Sequence, residues 1–215
     1  VGVSGRARTV VYNTDAIDTH LHLPMSILDY TDPKWEGRIG WAPTNGSFQA
    51  FVTALRVLEG DAAAKAWLEG IKANKPIEFP NNTSIVNAVG QGEIHVGFVN
   101  HYYLYRFLAE QGEEFSARNH FSSGDAGALI NVSGAGVLAT SESNETAQGL
   151  IEYLLSKDAQ KYFAEETNEY PLIDGIDSVG DMPALDTLNP PDLDLGNLDD
   201  LRGTLDLMRE AGVVP

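Results

Sequence analysis

The chain has 215 residues, of which 43% are apolar, so it can build a hydrophobic core and disorder is not the first interpretation. Its 31 acidic and 14 basic residues give a net charge of −17, which argues against nucleic acid or an anionic membrane as partner. The sequence has no cysteine, which excludes a disulfide framework and a thiolate metal site. The sequence contains no run of roughly 18 apolar residues, so it predicts no membrane-spanning helix.

Apolar runs typical of strands alternate with helical periodicity through the first two thirds of the chain. This pattern predicts a mixed α/β sheet with crossover helices. Strands are predicted over residues 9–13, 38–42, 94–99, 128–133 and 135–140. Helices are predicted over residues 48–59, 62–73, 81–90, 100–112, 143–156, 158–166 and 199–210, from apolar stripes and from end signals. The segment between the last two helices is rich in Asp, Pro and Gly, and we expect it to pack in extended form over a surface.

Two loops that open helices carry small or amide residues. The first, "PTNGS", contains Asn45, Gly46 and Ser47. Free backbone N–H groups at a helix start bind anions, and the Ser47 hydroxyl adds a donor. The second, "PNNTS", contains Asn82, whose amide suits the same anion. For both loops, ordinary helix capping is the alternative interpretation.

The third loop, "NHYYLYRF", follows the apolar run "IHVGFV". If Asn100 is the N-cap, Tyr102 and Tyr103 occupy the first turn of a helix, where the helix dipole favours negative charge. Phenolates are ligands of highly charged, oxygen-preferring cations such as ferric iron. A calcium loop of the form "DxDxDG" is not present. Packing of the rings in a core is the alternative interpretation.

Taken together, three stretches resemble the ferric iron-binding proteins of bacterial ABC importers, a group of type II periplasmic binding proteins. They are "APTNGSFQAFVTAL", "NNTSIVNAVGQGEIHVGFVNHYYLYR" and "INVSGAGVLATSESNETAQGLIEYLLSKDAQKYFAEETNEYPL". The resemblance runs from about Val1 to the end, and "NHYY" followed by "NEYPL" is its most specific part. It implies an α/β, type II periplasmic binding protein fold with one complete lobe around a mixed sheet and part of a first lobe.

The resemblance also implies a function. The chain is expected to capture Fe(III) with a synergistic anion, phosphate or carbonate, and to deliver it to an ABC permease by binding and release rather than as an enzyme. Tyr102 and Tyr103 match the family's iron-binding tyrosine pair. The residues implied for the anion are Asn45, Gly46, Ser47, Asn82 and Asn100. Asn45 departs from the family pattern, because that loop often reads "TSGA" with serine at this position.

The family's lobes imply a division of this chain. Residues 1–9 are expected to form a hinge strand, residues 10–133 the complete second lobe, and residues 134–142 the return hinge. Residues 143–215, with the C-terminal helices and the acidic tail, are assigned to the first lobe. The N-terminal part of that lobe, which often supplies His or Glu ligands, precedes the hinge in the family, and the resemblance implies that this chain begins after it.

The resemblance also has consequences for the association of the chain and for its cellular location. Without the rest of the first lobe, the helices over residues 143–166 are expected to expose an apolar surface and to associate between chains, by exchange of those helices. The resemblance places the protein in the periplasm, or outside a bacterium on a lipid anchor, with no direct membrane insertion in this chain.

Three alternatives stay open from the sequence. A related solute-binding protein for a phosphonate, thiamine or a polyamine would use the anion loops without metal, with Tyr102 as an aromatic wall. A small α/β enzyme would use Tyr102 or Tyr103 as a general acid beside His101. A non-catalytic interaction domain would use the acidic tail as its working surface.

Overall fold

A computed structural model describes residues 1–17 and 22–215, in two compact units. Unit 1 comprises residues 1–7 and 130–188, and unit 2 comprises residues 8–129 and 189–215. The strands are β1 (Gly2–Asn13), β2 (Ile39–Trp41), β3 (Ile77–Glu78), β4 (Val96–Asn100), β5 (Ala117–His120) and β6 (Ile130–Gly134). The helices are α1 (Gly46–Glu59), α2 (Asp61–Ala73), α3 (Asn82–Gly90), α4 (Tyr102–Gln111), α5 (Asn144–Leu154), α6 (Lys157–Glu166) and α7 (Leu201–Glu210).

Unit 2 is built on a mixed sheet, as the sequence predicts. Its strand order is β3-β2-β4-β1-β5. Strand β2 runs parallel to β3 and β4, whereas β1 runs antiparallel to β4 and β5. The register of β1 and β4 places Arg8 opposite Asn100. Residues 8–13 of β1 therefore form a central strand of this sheet. Arg8 pairs with Asn100 at the carboxyl end of β4.

Helices cover both faces of this sheet because successive strand side chains point to opposite sides. Val10 and Phe98 face the core cluster that also holds the buried residues of α1, α2 and α7. Val11 and Val99 face the second cluster, which holds those of α3 and α4. Trp67 lies 5.7 Å, between ring centroids, from Phe98 in the first cluster. This two-faced burial explains why β4 reads as a continuous apolar run.

Unit 1 pairs the first half of β1 with β6 in antiparallel register. The fully buried Gln160 of α6 links its parts. Its Nε2 donates to the carbonyl oxygens of Val3, at 2.7 Å, and Leu154, at 2.9 Å. Its Oε1 accepts a hydrogen bond from the Leu172 N–H at 2.7 Å. One amide side chain therefore provides hydrogen-bond partners for backbone groups from three segments.

Most predicted elements are present with ends shifted by a few residues, and the differences have local causes. Strand β1 starts at Gly2 instead of residue 9, and β3 and β5 were not predicted. The predicted strand over residues 135–140 is wrong: these residues form no strand, and Leu138 is 74% exposed. The helix predicted to follow an Asn100 cap begins at Tyr102 with His101 in the N-cap position. Asn100 is instead the last residue of β4.

The C-terminal helix α7 belongs to unit 2, which differs from the sequence-based grouping of residues 143–215. Leu207 and Met208 join the core cluster of α1 and α2. The Thr204 and Thr53 hydroxyls form a buried hydrogen bond of 2.8 Å between α7 and α1. The apolar side of α7 therefore packs on the helical layer of unit 2. The assignment of segments to first and second lobes stays a prediction.

Helix α5 has no buried residue. Its Leu150 and Tyr153 are 59% and 61% exposed, so the apolar exposure expected for residues 143–166 is present in the structure. Association between chains stays a prediction. Within residues 1–17 and 22–215, no helix combines the length and apolar character needed to cross a bilayer.

The sequence-based prediction is that chains associate through the helices over residues 143–166, to which α5 contributes the exposed Leu150 and Tyr153. Replacing Leu150 and Tyr153 together by glutamine should weaken association, because it removes most of the exposed apolar side chain from this helix. Sedimentation velocity over a range of concentrations measures this. A parent chain that sediments as a clean monomer, with no binding of an apolar dye, would contradict the prediction.

A second prediction concerns Gly97 in β4. A Cβ at this position would lie 2.1 Å from Ile85 Cγ2, so Gly97→Ala should lower the free energy of unfolding by about 1–3 kcal/mol through overpacking. The control is Gly149→Ala in α5, where a Cβ meets nothing within 4 Å. That change should raise stability by about 0.5–1 kcal/mol. Urea unfolding measures both, and equal effects would show that packing around Gly97 is looser than the structure indicates.

Candidate metal and anion site

Asn45 caps helix α1. Its Oδ1 accepts hydrogen bonds from the Ser47 N–H at 3.0 Å and from the Ser47 hydroxyl at 2.6 Å. The capping interpretation is therefore confirmed for the Asn45 oxygen. The next residue, Gly46, begins the helix, and a Cβ there would meet nothing within 4 Å. The start of this 14-residue helix thus presents its positive dipole end next to open space.

Asn82 does not cap α3. Asn81 is the N-cap, and its side chain accepts from the Ser84 N–H at 2.9 Å. Asn82 is only 1% exposed, and its Nδ2 donates to the Ser47 hydroxyl oxygen at 3.2 Å. The Asn82 amide therefore connects the starts of α1 and α3, two loops that are 35 residues apart in the chain.

Asn100 lies at the end of β4 and is 6% exposed. Its Oδ1 accepts a hydrogen bond of 3.1 Å from Arg8 Nη1. The backbone turn that follows is held by Asn119, whose Nδ2 donates to the carbonyl oxygen of His101 at 2.9 Å. His101 is fully buried, and its ring lies 5.6 Å, between centroids, from that of Tyr102. The strand therefore passes directly into the tyrosine helix through a packed turn.

Tyr102 and Tyr103, the predicted metal ligands, are the first two residues of α4, in the first turn where the sequence predicts them. Their ring centroids are 4.4 Å apart with planes 31° from parallel, and both residues are half-buried. Tyr103 packs with Phe107 against the second core cluster of unit 2. The two rings thus lie together at a helix start, where the dipole favours negative charge.

Arg8 is the residue of this site that the sequence reasoning missed. It is 4% exposed. Its Nη1 donates to Asn100 Oδ1 at 3.1 Å and to the Ser47 hydroxyl at 3.4 Å. Its guanidinium carbon lies 5.5 Å from the centre of the Phe51 ring, within the range of a cation–π contact. The only sequence signal is an arginine inside a run of strand-forming residues.

The charge of Arg8 persists at neutral pH. Burial lowers the pKa of Arg8 to about 10, and the electrostatic influence of Tyr102 and Tyr103 opposes this change. Because that pKa is still well above 7, the guanidinium remains a cation. The site therefore combines a buried positive charge with two nearby phenols and a helix start.

Hydrogen bonds bring together four of the seven residues named from the sequence. Asn45, Ser47, Asn82 and Asn100 are joined through Ser47 and Arg8. Gly46 lies between two of them, and the tyrosine pair starts two residues after Asn100. The convergence of helix starts and polar side chains at strand ends is typical of a ligand site in an open α/β sheet. The roles of these residues as ligands stay predictions.

An open α/β sheet with polar side chains collected at its strand ends is typical of proteins that bind small ligands. The chain belongs to the family of bacterial extracellular solute-binding proteins, whose family model matches residues 1–195.

Proteins similar to the chain include one curated relative and two solved structures. The major ferric iron-binding protein of Neisseria meningitidis serogroup A is 35% identical, over 99% of this chain and 64% of its own length. The structure of iron-bound HitA from Pseudomonas aeruginosa is 36% identical with a TM-score of 0.90, over 99% of this chain and 69% of that one. An iron and citrate complex from Trichodesmium is 26% identical with a TM-score of 0.87, over 99% and 70%.

These comparisons confirm the predicted fold class and the family resemblance. The chain spans 64% of the length of the curated relative.

The capping role of Asn45 generates a stability prediction. Asn45→Ala should lower the free energy of unfolding by about 1 kcal/mol, because the Ser47 N–H loses its acceptor at the start of α1. Asn45→Ser, which keeps a capping oxygen, should be close to the parent. Chemical denaturation of the three proteins measures the difference. Equal loss in both variants would contradict a capping role for the side-chain oxygen.

Proposed function

We propose that this chain is the cargo-binding part of an extracytoplasmic solute-binding protein that captures Fe(III) together with an anion and delivers it to an ABC permease. The observation that carries the proposal is the placement of Tyr102 and Tyr103 at the start of α4, directly after a strand end where Asn100 contacts Arg8. Supporting it, the curated relative is named for ferric iron, and two similar structures are described with iron bound. The metal-free alternatives for a phosphonate, thiamine or a polyamine are not favoured by these relatives.

Tyr102 and Tyr103 are the proposed iron ligands. Ferric iron is a hard cation that tyrosinate oxygen suits. Binding requires loss of the phenol protons, and the two rings lie at the positive end of the α4 helix dipole, close enough to the Arg8 cation to interact with it electrostatically. The ring packing of Tyr103 against the core limits the freedom of one ligand before iron arrives. A ligand that is already ordered loses less entropy when it binds.

The proposed anion, phosphate or carbonate, contacts Asn45, Gly46, Ser47, Asn82 and Asn100. The support for this placement is the open space beside Gly46 and the concentration of donors around Ser47. In the Trichodesmium complex the iron is accompanied by citrate, so citrate is a necessary third anion in any test.

Binding and release make up the proposed activity, with no bond chemistry. Residues 1–9 and 134–142 are proposed as hinge segments on either side of a second lobe of residues 10–133. The remaining helices and the tail are proposed to complete a first lobe with residues present in the longer relatives. Closure around iron would then complete its coordination, and docking to the permease would open the protein. The proposed location is the periplasm, or the outer side of a membrane through a lipid anchor.

Addition of ferric citrate should produce a visible tyrosinate-to-iron charge-transfer band. Tyr102→Phe and Tyr103→Phe should each weaken iron binding at least about 100-fold, as expected for loss of one good ligand or about 3 kcal/mol. Tyr105→Phe is the matched control, since this tyrosine lies on the same helix and its ring packs 6.5 Å, between centroids, from that of His101.

Band intensity and a competition titration with citrate measure these effects. A band and an affinity that survive both Tyr102→Phe and Tyr103→Phe would refute the assignment of the ligands. Equal weakening by Tyr105→Phe would indicate that the changes act through packing of the helix.

A further inference from the structure

We propose that His101 and Asn119 are positioning residues for the iron ligand Tyr102. The amide of Asn119 fixes the turn between β4 and α4, and the buried ring of His101 sets the direction of the Tyr102 phenol. This inference rests on the proposed function, because Tyr102 is there a ligand of Fe(III). It adds to that function two residues that act through Tyr102 and not on the iron itself.

The turn between β4 and α4 is held by a side chain from another strand. Asn119 lies on β5, where it pairs with Val11 of β1. Its Nδ2 donates to the carbonyl oxygen of His101 at 2.9 Å, whereas the Leu104 N–H reaches the same oxygen at 3.4 Å. Because N–H···O distances are usually about 2.9–3.0 Å, the side-chain hydrogen bond is the better formed of the two. Asn119 therefore fixes the carbonyl group at which α4 begins.

The other polar atom of the Asn119 side chain gains nothing from its position. Asn119 Oδ1 is buried, and in the part of the chain that the structure describes it has no hydrogen-bond partner. A buried acceptor without a partner costs stability. The hydrogen bond to the His101 carbonyl is therefore the contribution of this amide that offsets the cost.

Aromatic rings surround the side chain of His101, which is fully buried. Its ring lies 5.6 Å, between centroids, from that of Tyr102, with the two planes at 89°. The rings of Tyr105, one turn further along α4, and of Phe121, just after β5, each lie at 6.5 Å. Edge-to-face contact at such a distance is a favoured aromatic geometry. The His101 ring is therefore a fixed surface on which the Tyr102 ring packs.

The two tyrosines have different supports. Side chains of adjacent helical residues do not face each other, yet the rings of Tyr102 and Tyr103 lie 4.4 Å apart, between centroids. Tyr103 packs with Phe107 against the second core cluster, which does not include Tyr102 in the described part of the chain. The Tyr102 ring packs on His101. The arrangement of the pair therefore depends on the core at one tyrosine and on the turn at the other.

This difference in support has a consequence for iron binding. Two phenolates bind one ion only if both oxygens are directed to it, and residues behind a metal ligand commonly fix that direction. Without its His101 contact, Tyr102 would rotate away, whereas Tyr103 would keep its place in the core. The alternative is that His101 and Asn119 contribute to stability alone, in which case their replacement would affect both tyrosines equally.

The test is a double-mutant cycle on the 215-residue chain, with iron supplied as ferric citrate and affinity measured by citrate competition. His101→Leu removes the planar ring, whereas His101→Phe keeps one. Asn119→Leu keeps the approximate shape of asparagine and removes the donor. Each change is made in the parent, in Tyr102→Phe and in Tyr103→Phe.

Thr53→Val is the matched control for lost stability. It removes a buried hydrogen bond of 2.8 Å to Thr204 between α1 and α7, on the other face of the sheet from α4. It should lower Tm and leave the iron affinity unchanged. Thermal unfolding of every variant shows which ones are folded, and Asn119→Leu carries the comparison by itself if His101→Leu does not fold.

We expect His101→Leu and Asn119→Leu each to weaken iron binding about 10-fold or more, the usual effect of losing a residue that orients a metal ligand. The same loss should appear in the Tyr103→Phe background. It should vanish in the Tyr102→Phe background, where no phenol remains to be directed. His101→Phe should stay within about 3-fold of the parent and keep the charge-transfer band, because a planar ring still packs on Tyr102.

A second measurement needs no iron. In nuclear magnetic resonance of the iron-free chain with isotope-labelled tyrosine rings, the Tyr102 signals are identified by their loss in Tyr102→Phe. Asn119→Leu should move these signals towards those of an exposed tyrosine. This variant releases the turn without removing an aromatic ring, so the movement reports the direction of the Tyr102 ring.

Equal loss of iron affinity in the Tyr102→Phe and Tyr103→Phe backgrounds would overturn the inference, as would His101→Phe that weakens binding as much as His101→Leu. Unchanged Tyr102 signals in Asn119→Leu would overturn the role of Asn119. A parent chain without a tyrosinate band would refute iron capture, and the Tyr102 signals of the iron-free chain would then decide the positioning by themselves.

Discussion

The burial of one positive charge, that of Arg8, is the constraint on which the candidate site depends. A guanidinium removed from water needs hydrogen-bond acceptors around it, and a nearby negative charge lowers the cost of its burial further. Asn100 and Ser47 supply the acceptors. Asn100 ends strand β4, and Ser47 lies in the first turn of helix α1. Their hydrogen bonds with the Arg8 guanidinium therefore connect both segments to the middle of β1.

The same constraint explains why amide and hydroxyl residues are concentrated at these loops. Ser47 receives hydrogen bonds from Arg8 and Asn82 and donates its own proton to Asn45. Each polar group in the cluster thus satisfies another, as buried polar groups must. The result is a set of donors held in place before any ligand arrives, at the dipole end of a helix and beside the two tyrosine rings.

The core of unit 2 was more predictable than its edges. Helices α1, α2 and α4 have strong apolar stripes, and β4 is an unbroken apolar run, so local pattern was sufficient to place them. The two-residue strand β3 and the polar strand β5, "ARNH", carry no such pattern. They are strands only because β2 and β1 lie alongside and offer backbone partners. Residues 135–140 show the reverse: a strand-like composition without a neighbouring strand.

By itself, the sequence determined the mixed α/β class, the helices with apolar stripes, the three loops and the tyrosine pair at a helix start. These features depend on residues close together in the chain. Tertiary structure alone decided that Arg8 is buried, that Asn82 meets Ser47 instead of capping its helix, and that α7 packs on α1 and α2. Each of these depends on which distant segment lies opposite, and strand register and core packing, unlike local periodicity, are set by the whole of unit 2 at once.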